Sequence, residues 1–331
     1  MIRWWQSLVA CTSRTEPGTP LALFRIGAGL GVLLTFAPTL LDGLGPMMMF
    51  DAAHGGYRPL AGNFWLIKAL GGATAEVMTG LLATSMLGGF LMMLGLGGRV
   101  TALVTLQTTL ACVHVNSHAG GSHDDLLTNA LFLVLLAPST ATLSLDCRIR
   151  TGRWTSDVPV AAWVRPLVMF QIVLCYWSTG VQKVSAHWTP GGDFSALYYI
   201  LQQPGWHRID MTWLGGIFPL TQLATATTWL WEVSNPLWLV AVWFAMTPDR
   251  PGRLRRWSNR LRVREGYAFV GVMMHLLILA FMNVGPFTAI SLAFYPCFWH
   301  HRELAAAWGR LRVLVTGGAG PTDGKLVHRR G

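Results

Sequence analysis

The sequence is dominated by apolar runs of about 20 residues, the length an α-helix needs to cross a hydrocarbon core about 30 Å thick. They recur along the chain near 20–41, 74–97, 100–117, 125–144, 164–182, 217–246, 266–284 and 286–300, the last short enough to be re-entrant. In lipid a backbone must satisfy its own N–H and C=O groups, so a chain of this kind folds as a helix bundle. We therefore expect an all-α, polytopic membrane protein with about eight transmembrane helices. Composition agrees. Of 331 residues 52% are hydrophobic and only 12% charged, against about 25% charged in soluble domains.

The net charge of +10 does not call for nucleic acid. With a cytoplasmic N-terminus, twenty of the 25 Lys and Arg residues fall on the inner side. These include seven arginines between 250 and 264. Only Arg58, Lys68, Lys183 and Arg208 face outward, and Arg25 lies within a span. Such asymmetry is the positive-inside pattern of a cytoplasmic membrane protein, here with both termini inside. No cleavable signal peptide is evident in "MIRWWQSLVACTSRTEPGTP", so the first span is expected to stay as an anchor. We divide the chain into a cytoplasmic segment 1–19, a transmembrane domain 20–303 and a basic tail 304–331, Gly-rich and expected to be disordered from about 317. Cys11, Cys112, Cys147, Cys175 and Cys297 form no CxxC pair and read as packing residues. Gly residues in "GAGLG" and "GLGG" suit close helix packing.

This topology gathers the unusual polar residues on the outer side, in "FDAAHGGYRPL", "NSHAGGSHDDLL" and the segment after Lys183, where they can build one site. In "YWSTGVQKVSAHWTPGG" Lys183 closes a span on which Gln171, Cys175, Ser178 and Gln182 recur at helical spacing. It is either an anchor that snorkels to the interface beside Trp188 or a base at the edge of a low-dielectric pocket. His114, His118 and His123 with Asp124 and Asp125 have spacing compatible with a metal, but the Gly-Gly break leaves the geometry open. Hydrogen bonding to a ligand, or capping of the fourth span by Ser122, His123 or Asp124, needs less. Arg25 and Glu232 are intramembrane charges. They fix helix packing as a pair or through freed backbone, or belong to the site. His275 lies mid-span, with Asn283 eight residues on.

The stretch "MFQIVLCYWSTGVQKVSAHWTPGGDFSALYYIL" resembles the signature of the bacterial HTTM family, the membrane domain related to vitamin K-dependent gamma-carboxylase. "PLALFRIGAGLGVLL", "GSHDDLLTNALFLVLLAPSTATLSLD" and "MMHLLILAFMNVGPFTAISLAFYP" are similar to further family segments in the same order, over roughly residues 18–303. The resemblance implies a lysine base at Lys183 that deprotonates a quinol. O2 then yields an alkoxide that removes a glutamate γ-proton, CO2 adds to the carbanion, and the quinone leaves as an epoxide. It implies an assisting histidine near His123 and places His275 in the matching late span. Two departures stand out. Gln182 precedes Lys183 where the carboxylase has a second lysine, and the chain ends soon after its last span, so recognition of a propeptide in the carboxylase manner is not expected.

These readings lead to a quinol- and O2-using carboxylase-like enzyme, with Lys183 and His123 catalytic and reduced vitamin K or menaquinol as cofactor. Tyr176, Trp177, Trp188, His118, Asp124 and His275 line the quinol site, and no metal is expected. A peptide or protein substrate is a further possible partner. The rivals are a non-catalytic membrane factor for export, maturation or assembly of a partner, and a metal enzyme built on His114, His118 and His123.

Overall fold

The computed structural model describes residues 13–60, 64–116 and 118–316. Arg3, Cys11 and the tail from 317 lie outside them, as does the absence of a signal peptide. Most of the described chain is helical. The principal helices are α1 (Thr19–Leu41), α2 (Ala75–Leu94), α3 (Gly98–Val115), α4 (Ser122–Leu136) and α5 (Val164–Gln182). They continue as α6 (Phe218–Val233), α7 (Pro236–Met246), α8 (Val263–Phe281), α9 (Phe287–Ala293) and α10 (His301–Thr316). One small sheet was not anticipated: β1 (Thr15–Pro17) pairs antiparallel with β2 (Pro159–Ala161), Glu16 opposite Val160.

Four helices, α1, α2, α5 and α8, are long and apolar enough to cross a membrane. Four expected spans are not among them: the run at 100–117 forms the helix α3 but falls outside this group, and three others are interrupted, each by a proline. The run at 125–144 is helical only to Leu136, because the ring of Pro138 disfavours helical backbone at Ala137. The run at 217–246 divides at Ser234–Asn235, with Pro236 opening α7, a position where its missing N–H costs nothing. The run at 286–300 is α9 followed by a 3-10 turn, Tyr295–Phe298, around Pro296.

Close packing holds the bundle together. α1 lies against α2 so tightly that a Cβ on Gly29 would sit 2.5 Å from the carbonyl oxygen of Gly89; only paired glycines allow that approach. Aromatic contacts tie the late helices in, with Phe24 of α1 edge-on to Phe294 at 4.9 Å and Trp238 of α7 stacked on Phe298 at 3.7 Å. Arg25 is fully buried in this core. Its guanidinium donates to the carbonyl oxygens of Ser139 and Leu143, both at 2.6 Å. Those acceptors lie just past the early end of α4, in the run expected to be helical. The charge therefore caps backbone released at Pro138, and Glu232 finds a different partner.

At the end of the bundle where α5 begins, Arg165 donates to Glu16 at 2.6 Å and to the carbonyl of Cys297 at 3.2 Å. Arg264 grips Glu303 of α10 through both terminal nitrogens, at 3.0 and 2.5 Å. The opposite end carries the longer loops, and the candidate site residues lie there. Cys112, Cys147 and Cys297 are buried free thiols and Cys175 is half-buried.

Candidate functional site

α5 positions Lys183. The residues Val168, Ile172, Tyr176 and Gly180, four apart, form the buried face of this helix. The expected polar stripe Gln171, Cys175, Ser178, Gln182 flanks that face and does not form it: the first three are half-buried and Gln182 is exposed, its amide donating to Ser178 Oγ at 2.7 Å. Gly180 is the contact point with α6, where an added Cβ would fall 2.7 Å from Glu232 Cβ and 2.8 Å from the Val233 nitrogen. With helices this close, Lys183, three residues further on, reaches the carboxylate of Glu232. The two form an ion pair through Lys183 Nζ and Glu232 Oε2. The same Nζ lies 4.8 Å from the ring centre of Trp188, in the range of a cation–π contact. Glu232 is nearly buried, whereas Lys183 keeps about a fifth of its side-chain surface open.

Tyr176 and His275 lie inward of this pair. The Tyr176 hydroxyl is 2.6 Å from His275 Nε2 and 3.5 Å from the Tyr295 hydroxyl, and its ring meets Trp231 edge-on at 4.7 Å. His275 is fully buried, and its Nδ1 has no partner among the described residues. Trp177 points the other way, to the outer surface of the bundle.

The histidines after α3 lie elsewhere. His123 and Asp124, in the first turn of α4, help line a cavity of about 780 Å³ together with α1, α3, α8 and α9. Asp124 accepts the Gly121 N–H at 2.8 Å, the back-reaching half of a capping box, and its other oxygen is 3.4 Å from His123 Nε2. His118 is exposed, its backbone N–H donating to Asn116 Oδ1 at 3.1 Å. His114 stacks on Phe64 with ring centres 6.2 Å apart. No three His, Cys, Asp or Glu side chains gather in a metal-binding group among the described residues. The three-histidine arrangement considered from sequence is therefore not formed.

Comparison with known families takes in the first three of the four resembling stretches, and the late stretch "MMHLLILAFMNVGPFTAISLAFYP" lies beyond the match. The HTTM domain family matches residues 14–222, which takes in α1 to α5, Lys183 and the first turn of α6. The chain belongs to the HTTM domain family. This HTTM protein is thereby a membrane protein related to the gamma-carboxylase membrane domain. No curated protein and no solved structure matches it.

The expected single site thus divides. Lys183 and Trp188 stand together at the α5–α6 contact, while His123 and Asp124 line the cavity, whose wall does not include Lys183. Two relationships were not foreseen from sequence. Glu232, marked there only as an intramembrane charge and lying beyond the family match, pairs with Lys183. Its signal was present in the sequence, since an acid in an apolar run needs a cation and Gly180 marks a close contact one turn before Lys183. Arg208, in the loop before α6, lines the cavity. Its place depends on a fold contact that no local pattern records.

Proposed function

We propose that this HTTM protein is a cytoplasmic-membrane enzyme of carboxylase-like type that uses a lipid-soluble quinol and O2, with the Lys183–Glu232 pair as its acid–base unit. The observation that carries the reading is the ion pair itself, formed at the lysine position the family signature marks. At a low-dielectric edge, an ammonium beside a carboxylate and an amine beside a carboxylic acid come closer in energy than they are in water. The second form offers a free amine at Nζ. That amine takes a hydroxyl proton, and the resulting ammonium faces the anion it has made.

Trp188, 4.8 Å from Nζ, offers an aromatic face to a quinol ring, and Trp177 lies on the outer surface of the same helix, while the fully buried Tyr176 and His275 brace α5 behind the pair. When bound, a quinol supplies the oxidisable ring whose reaction with O2 generates a base stronger than any side chain. The chain supplies orientation and the first proton transfer. We further propose one transmembrane domain over 20–303, with α6 and α7 crossing as a broken pair, α9 completing about eight spans, and both ends of the chain on the arginine-rich, cytoplasmic side.

The test is to incubate the purified protein in lipid with reduced menaquinone or vitamin K, bicarbonate and O2 and to look for quinone epoxide by mass spectrometry. Epoxide formed by the wild type and not by folded Lys183→Ala supports the reading. Epoxide from neither, with quinone binding also absent, rejects it.

A second reading, a non-catalytic factor for maturation or assembly of a partner, draws on the large exposed residues Tyr57, Trp206 and Trp213 of the loop-bearing end. Under it, Lys183→Ala preserves function while substitutions in those loops remove it.

A further inference from the structure

The cavity lined by His123 is separate from the Lys183–Glu232 pair. Its walls are largely apolar, with Leu34 and Phe36 on α1, Met48 at the end of a short helix (Gly45–Met48) in the connection after α1, Val113 on α3 and Leu279 on α8. Leu34 and Leu279 are also 43% and 46% exposed on the outside of the bundle. Leu34 of α1 and Leu279 of α8 thus border both the cavity and the outer surface of the bundle. A volume of about 780 Å³ falls in the range of about 300–1,000 Å³ that holds small-molecule ligands.

Its polar groups are at the loop end, and most are already engaged. Asn116 donates to the Met48 carbonyl at 2.8 Å and accepts the His118 N–H. Asp124 is held by Gly121 and His123. Arg208 differs. Its backbone N–H donates to the Phe281 carbonyl and its Nε to the Met282 carbonyl, each at 2.9 Å. Arg208 is exposed, and both terminal guanidinium nitrogens are left without a protein partner among the described residues, open to solvent at the cavity mouth. The turn that holds them continues to Asn283, exposed and with no side-chain hydrogen bond among the described residues, and to Gly285. There φ is +60° and an added Cβ would lie 3.3 Å from His123 Cε1. His123 and Arg208 therefore stand against the two ends of one turn, at the mouth of one apolar cavity.

We propose that this cavity binds a single-chain anionic amphiphile, its alkyl chain between α1 and α8 and its carboxylate or phosphate head on Arg208 and Asn283. A guanidinium with two free nitrogens is the group suited to such a head. The site is independent of the Lys183 chemistry.

The experiment is equilibrium binding of oleate, oleyl phosphate and oleyl alcohol to the purified full chain in non-ionic detergent. Oleate or oleyl phosphate is expected to bind at least about tenfold more tightly than the alcohol. Arg208→Gln brings the three to near equality, Lys183→Ala leaves the preference intact, and Ala289→Phe, which fills the cavity from α9, weakens all three while the melting temperature is held. Equal binding of acid and alcohol overturns the proposal, as does a preference that survives Arg208→Gln. Competition by butyrate or inorganic phosphate as strong as by oleate shows a free-anion site and rejects the amphiphile. Loss of oleate binding in Lys183→Ala rejects a separate site.

Discussion

Lys183 at the end of α5 is ion-paired with Glu232 on α6, across a helix contact that the missing side chain of Gly180 permits. The pair joins residues 49 positions apart, and it lies mostly out of water. Removing one partner from such a pair leaves a charge with nothing to face, at a cost on the order of 3 kcal/mol, reduced here by the partial exposure of Lys183. Lys183→Met and Glu232→Gln are each expected to lower the melting temperature in detergent. The double variant is expected to recover a large part of the loss. A double-mutant cycle that adds without coupling contradicts the pairing.

Gly180→Ala tests the contact beneath the pair. The new methyl would meet the backbone of Glu232 and Val233, which cannot rotate away. Overpacking of this kind costs about 1–3 kcal/mol. The variant is expected to melt earlier than wild type and to lose the coupling between Lys183 and Glu232. The same substitution at Gly266, which has open space around it, is the matched control.

Arg25 is predicted to resist replacement even by lysine. Its planar fork serves two carbonyl oxygens in different directions, those of Ser139 and Leu143, and an ammonium on a single stem does not reproduce that geometry. Arg25→Lys and Arg25→Met are both expected to destabilise by about 2 kcal/mol or more, because buried acceptors lose their donors. Thermal melts of the two variants beside wild type check this; a neutral Arg25→Lys contradicts it.

Glu303 gives the account a pH dependence. Burial pushes its carboxyl up, but hydrogen bonds from Arg264 and from the His300 N–H, with the charge of Arg264, hold it below the usual value of 4.5. A depressed carboxyl stabilises the fold above its unfolded value and loses that contribution as pH falls through its folded value. The contact is half open to solvent, so the effect is modest. Wild type is expected to melt above Glu303→Gln at pH 7, and the gap is expected to close below about pH 4.5. A gap that does not narrow as pH falls below about 4.5 contradicts the assignment.

Much of the architecture was legible because lipid leaves a chain few alternatives. The runs predicted at 20–41, 164–182 and 266–284 appear as α1, α5 and α8 with ends within three residues. Hydropathy failed where it read through prolines. Ala137–Pro138 and Asn235–Pro236 were visible in the sequence, yet the apolar average carries across them, and the backbone they release became the reason for Arg25. The site was legible in its residue types and less so in its grouping. Lys183, His123 and Asp124 share one end of the bundle, as their loops required, but which of them meet is set by helix contacts such as Gly180 on Glu232. Arg208 depends on the turn at 281–283, a meeting of distant segments that charge counting assigned only to a side of the membrane.

The central claim is that the Lys183–Glu232 pair takes a proton from a quinol. The most direct measurement is anaerobic mixing of the purified protein with a reduced naphthoquinone while the absorbance of the quinolate is followed, so that proton removal is seen apart from any reaction with O2. The account predicts quinolate in stoichiometric amount with wild type, much less with Glu232→Gln, and none above buffer with Lys183→Ala that remains folded. Equal quinolate from wild type and Lys183→Ala contradicts it.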